Sequence, residues 1–225
     1  MPAFDLLLIL LWGGLGASPA TFTAPPSDLV LENFETFVVG AVPSDGWTTR
    51  GGNAEGSYSI QQETGGNHYL KAVDRGRSVQ LFKEKGWDLK TSPYLRWKWR
   101  ANRFPVGSDE RIGAKNDSAA GIYVVFPRRF FVPEAIKYVW SLNVPVGTQI
   151  ARRDHFPIFV IRSGTSDQGH WVPEVRNVRE DFISHFHRMP ADPVAVGFLT
   201  DANETQSSAE ADYDDLTALA RSIGP

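Results

Sequence analysis

The chain has 225 residues, of which 42% are hydrophobic, 22% charged and 12% aromatic. Seven Trp, six Tyr and fourteen Phe are more aromatic surface than a solvated chain carries, which excludes long disorder. The absence of Cys excludes a disulfide framework, a thiolate zinc site, a cysteine nucleophile and a lipid-anchored N-terminal Cys, and a net charge of -3 offers nucleic acid no global basic field.

In chain order, residues 4–15 (FDLLLILLWGGL) come first. The run is too short to span a bilayer, and it has the length of the apolar region of a secretory signal peptide. Ser18 and Ala20 supply small residues before Thr21, as signal cleavage requires, although no Lys or Arg precedes the run and Asp5 is acidic. The expectation is a signal peptide over 1–20 and one domain over 21–225, periplasmic or secreted, with no transmembrane segment in the mature chain.

Short β-rich runs then alternate with turn residues: 29–35, 57–60, 69–73, 78–82, 94–100, 121–126, 136–140, 158–162, 171–176, 194–200 and 209–219. Residues 94–100 are the plainest case: Leu95, Trp97 and Trp99 fall on one side, Arg96, Lys98 and Arg100 on the other. One helix interrupts the series. Asn177 caps it with Glu180 three residues on, and Val178, Phe182 and Phe186 share a face. The pattern predicts an all-β fold, a two-sheet jelly-roll-like sandwich with one short helix.

Charge is uneven along the chain. Residues 75–115 hold eleven bases and four acids, and residues 201–215 hold six acids and no base. These segments either form opposite poles or lie side by side and neutralise each other; cross-strand pairing favours the second. On a strand, Glu210, Asp212 and Asp214 share one face and Tyr213 and Asp215 the other. Three carboxylates on one face need a cation or bases between them, and calcium suits such oxygen ligands. The same run is a near match to the E-x-D-x-x-E pattern of retaining glucanases, but its last acid is Asp.

Polar groups beside aromatics mark candidate ligand-binding residues: Asp117 before one strand, Tyr138 and Trp140 along another, Arg162 ending a third and Asp201 after a fourth. Sugars are held by this mixture, with rings against C–H faces and carboxylates, amides or Arg on hydroxyls. The bland alternative is that the rings fill the core and the Asp residues make turns. The five His have no metal-ligand spacing, and neither a G-x-S-x-G elbow nor a phosphate loop occurs.

Two resemblances extend this reading. Phe34-Glu35, Gly46-Trp47 and the closing Asp214-Asp215-Leu216 resemble the opening strand, turn and last strand of jelly-roll carbohydrate-binding modules. That resemblance implies a structural calcium held by Glu35 and Asp214. The segments LRWKWRA, KNDSAAGIYVVF, IKYVWS, WVPEVRNVREDF and TDANETQSSAEADYDDL resemble a family of exported bacterial proteins catalogued as domain of unknown function 3047. It implies one exported domain and supplies no catalytic residue. The resulting expectation is an exported, non-catalytic glycan- or glycoconjugate-binding protein. The alternatives are a polysaccharide lyase or glycosidase on an acidic sugar, with Tyr138, Arg162 or an Asp as base or charge stabiliser, and a structural envelope protein.

Overall fold

The computed structural model describes residues 28–129, 132–151 and 154–222. The expected signal peptide lies outside the described residues. Two sheets pack face to face. The first has the order β11(Val172–Asn177), β6(Tyr94–Arg103), β13(Ala209–Leu219), β4(His68–Asp74), β3(Tyr58–Gln62). β1(Leu29–Glu32) also pairs with β13, so β13 carries β4 along Ala209–Tyr213 and β1 along Leu216–Ala218. The second sheet runs β2(Trp47–Arg50), β5(Gln80–Glu84), β12(Ala195–Leu199), β7(Ala120–Arg129), β8(Val132–Ser141), β10(Pro157–Ser163), β9(Gln149–Ala151). All pairs are antiparallel except β8 with β10.

The all-β expectation holds, and the first and last strands of the described residues lie side by side. Two strands escaped the sequence reading. β2 is mostly exposed polar residues behind a turn glycine, and β9 is three residues long, so neither shows a period-2 pattern.

Alternation on β6 does what it predicts: Leu95, Trp97, Trp99 and Ala101 are fully buried, and the residues between them face outward. Trp97 stacks on Tyr138 at 5.6 Å and Trp99 meets Trp140 at 5.9 Å, so two strands from different sheets are joined through four large rings. Near the paired termini Phe34 meets Trp47 at 5.9 Å and Phe198 at 6.0 Å, and Phe198 meets Tyr213 at 4.9 Å.

The helix α1(Val178–Phe186) begins as its sequence predicts, with Asn177 Oδ1 accepting from the Glu180 N–H at 3.1 Å. His187 ends it in the left-handed region, φ 54°, so the two His of this segment are a helical residue and a cap. Phe182 packs on Phe126 at 4.6 Å. Asp181, buried, accepts from Tyr138 Oη at 2.8 Å and from Arg176 Nε and Nη2 at 3.0 and 2.5 Å, which ties the helix to both sheets. No described helix is long and apolar enough to cross a membrane.

Asp215 corrects one expectation. It does not join Tyr213 on the inner face: the register of β13 shifts between Asp214 and Thr217, and Asp215 has φ 55°. This bulge places two successive carboxylates outward, both on Lys98, at 3.0 Å from Asp214 and 2.9 Å from Asp215. Leu216 then returns to the core.

Candidate functional site

The five residues nominated from sequence fall into two groups that share no hydrogen-bond partner. Tyr138 and Trp140 are fully buried between the sheets, and their polar atoms are spent internally, Tyr138 Oη on Asp181 and Trp140 Nε1 on the Gly164 carbonyl at 3.0 Å. No ligand reaches them without opening the core. Arg162 lies behind Trp140, its guanidinium 5.6 Å from that ring, and bonds Glu174 at 2.6 Å and Asp167 at 2.7 Å.

The second group sits where β12 ends and β7 begins. Asp117 accepts from the N–H groups of Glu204 (3.2 Å) and Thr205 (2.7 Å) and from Thr205 Oγ1 (2.6 Å), so it shapes the 203–207 turn. Asp201 is buried with Oδ1 unpartnered. Burial raises its pKa to about 6, against the pull of Lys137. Lys137, itself buried, lies near the Tyr123 ring at 5.6 Å.

The residues do not fit the calcium that the motif resemblance implies. Asp214 Oδ2 takes Asn67 Nδ2 at 2.8 Å and the Lys98 ammonium, and Oδ1 takes the Asp215 N–H at 2.7 Å, so an ammonium occupies the place of a metal. Glu35 is exposed and accepts from the His68 N–H at 3.1 Å. Among the described residues no group of three or more His, Asp or Glu side chains is placed to hold a metal ion. The buried acid of the opening strand is Glu32, whose Oε1 accepts from Asn33 and Phe34 N–H and whose Oε2 lies 2.5 Å from Lys83. Adding a chelator is expected to leave the melting temperature unchanged in scanning calorimetry; a fall of several degrees would show a cation that this donor set does not reveal.

The outer face of the first sheet collects the groups that sequence order keeps apart. Outward positions of β6 and β13 bring the basic and acidic segments together, so they neutralise each other as strand neighbours. Arg100 Nε bonds Asp212 Oδ2 at 2.7 Å, and Lys71 pairs with Glu210 at 2.5 Å. Tyr69 from β4 and Trp171, the residue before β11, cross above them edge to face at 5.6 Å. The Arg100 guanidinium lies 4.5 Å from the Trp171 ring and 5.1 Å from Tyr69, and Lys98 lies 5.2 Å from Trp171. Glu63 Oε1 accepts from Trp171 Nε1 at 2.6 Å and from Arg100 Nη1 at 3.1 Å, which fixes the indole.

Beneath this cover Asp212 is 2% exposed. Its Oδ2 holds Arg100 and Asn102, the latter at 2.7 Å, while Oδ1 has no partner among the described residues. Burial raises its pKa, with Asn102 and Arg100 opposing. The two half-buried rings thus form a surface with fixed donors and acceptors around it. Sequence reasoning named Asp212 but missed Tyr69, Trp171 and Glu63. The available clue was an aromatic next to a buried aliphatic, Tyr69 before Leu70 and Trp171 before Val172, hence outward on its strand.

No curated protein matches the sequence. Among solved structures, the chain is similar to the family 11 carbohydrate-binding module of the cellulosomal cellulase Lic26A-Cel5E of Clostridium thermocellum (9% identity, TM-score 0.45, 88% of this chain and 97% of that one). It is similar also to the Lys-gingipain adhesin domain from Porphyromonas gingivalis W83 (14%, TM-score 0.41, 88% and 100%) and to Caldicellulosiruptor saccharolyticus CBM27-1 in complex with mannohexaose (12%, TM-score 0.40, 88% and 100%). All three likenesses are distant. In sequence the assignment is direct: the chain belongs to the family described as Protein of unknown function (DUF3047), whose model matches residues 45–217.

Proposed function

We propose that this protein is an exported glycan-binding module and that its ligand lies on the outer face of the first sheet, against Tyr69 and Trp171. The observation that carries the reading is the pair of crossed, half-buried rings held by Glu63 and Arg100 and bordered by Asn102, Lys71 and Glu210. A sugar ring offers both surfaces that such a site needs, an apolar C–H face for the indole and hydroxyls for the amide, ammonium and carboxylates. Export rests on the apolar run at 4–15 and is tested by sequencing the N-terminus of the secreted or periplasmic form, where Thr21 is expected first.

Trp171→Ala tests the site. Calorimetric titration of the domain over 21–225 against cell-envelope glycans is expected to show binding that the variant weakens by roughly thirtyfold, the loss of about 2 kcal/mol that a central aromatic anchor supplies. Stability should fall little, because the ring lies on the sheet rather than between the sheets. Absence of binding to every glycan removes the reading. The second reading, a glycosidase or lyase, is favoured by one feature: Asp212, raised in pKa with a free oxygen, shares Arg100 with Glu63. Release of new reducing ends by the wild type and its loss in Asp212→Asn would decide for it.

A further inference from the structure

The edge strand β11 faces β10 and the 146–149 segment across a cleft of about 280 Å³. Its walls come from the inward residues of β11, Glu174 and Arg176, and from Phe159 and Ile161 on β10; Gln149, exposed, stands at the mouth. β11 separates this cleft from the outer face, since Trp171 and Lys98 belong to the other side of the same sheet.

The polar atoms on the walls are half used. Glu174 Oε1 accepts from Arg162 Nε at 2.6 Å, and Oε2 accepts no hydrogen bond among the described residues. Arg176 gives Nε and Nη2 to Asp181, and Nη1 has no hydrogen-bond partner among the described residues. One free acceptor and one free donor therefore stand two residues apart on the same face of one strand, across from an aromatic and an aliphatic side chain. Two guanidinium groups, Arg162 and Arg176, meet three carboxylates, Glu174, Asp167 and Asp181, so both cations are already matched. An anionic ligand would find no free counter-charge, and its desolvation would go uncompensated.

We propose that this cleft is a second binding site, for a single neutral sugar ring. One hydroxyl donates to Glu174 Oε2, its neighbour accepts from Arg176 Nη1, and the C–H face lies on Phe159 and Ile161. The volume falls at the lower end of small-molecule sites, enough for one ring and not for a chain. The site stands independently of the outer face.

The test is an amide NMR titration of the domain over 21–225 with glucose, galactose, mannose and N-acetylglucosamine, and with glucuronate as the anionic probe. The expected result is saturable shifts at 146–149 and 174–176 with at least one neutral sugar, with Kd of the order of 1 mM. Glucuronate gives none. Gln149→Trp plugs the mouth from an exposed position, so it leaves the fold intact and removes the shifts. Glu174→Gln weakens them by about tenfold, the loss of a charge-assisted bond. Trp171→Ala leaves them unchanged, which separates this site from the outer face. The proposal is overturned by an absence of shifts with every neutral sugar, by glucuronate binding as well as neutral sugars do, by shifts that survive Gln149→Trp, or by shifts that Trp171→Ala abolishes.

Discussion

Phe34→Ala is expected to remove about 3–5 kcal/mol of folding stability, seen as a lowered urea midpoint with an unchanged slope. The ring is fully buried where the opening strand leaves the sheet, and it reaches Trp47 from the second sheet and Phe198 beside Tyr213. Truncation therefore empties the junction of both sheets at once. The backbone adds to the effect's specificity. Phe34 has φ 58°, a left-handed conformation that side chains rarely adopt, and its N–H is fixed by Glu32 Oε1 at 2.8 Å. Glu32 is held in turn by Lys83, which lies 5.5 Å from the Trp47 ring. A natural domain has only about 5–15 kcal/mol in total, so the loss takes a large share. Phe34→Leu, which keeps most of the volume, is expected to cost less than half as much.

Stability is expected to rise as the solution is taken from about pH 8 to about pH 5, contrary to the behaviour of a fold held by salt-bridged surface acids. The cause is a set of buried carboxyls whose pKa values burial raises: Glu110, Glu174, Asp201, Asp212 and Asp214. For a carboxyl raised in the folded state, the folded chain binds more protons than the unfolded one between the two pKa values. Its stabilising contribution is full below the unfolded value near 4 and is lost as the pH rises through the folded value. Asp201 moves from 3.8 to about 6, so on its own it contributes up to about 3 kcal/mol in full, of which about 1.4 kcal/mol falls between pH 8 and pH 5. Exposed Asp88 and half-buried Asp109 work the other way, held below the usual range by the Lys90 N–H and by Arg111 respectively, and act only in stronger acid. Denaturant melts at the two pH values check the sign. Asp201→Asn is expected to flatten the dependence; an unchanged slope would remove Asp201 as its source.

Much of the architecture was legible because its elements carry local patterns. LRWKWRA alternates strictly, Asn177 with Glu180 marks a helix start, and the acidic run on the last strand mirrors the basic run on β6. Binding residues were less legible. Tyr138 and Trp140 were nominated as polar-tipped rings beside Lys137, yet Ile136, Tyr138 and Trp140 are the inward set of that strand. The strand is buried on both faces, so burial alone could not tell lining from core. Tyr69, Glu63, Arg100, Trp171 and Asp212 come from five separate segments, and only sheet order brings them together. The left-handed Asp215 was invisible for another reason: a bulge is a backbone event that leaves no period in the residue types.

The place of β13 bears on how such a chain is made. It is the middle strand of its sheet, yet it follows β1, β4 and β6 in sequence by at least a hundred residues. While a ribosome extends the polypeptide, those three strands emerge with no partner between them, and Trp97 and Trp99 have only half a wall to rest on. Assembly waits for late synthesis and proceeds through distant pairings, which makes it slow and dependent on protection from self-association.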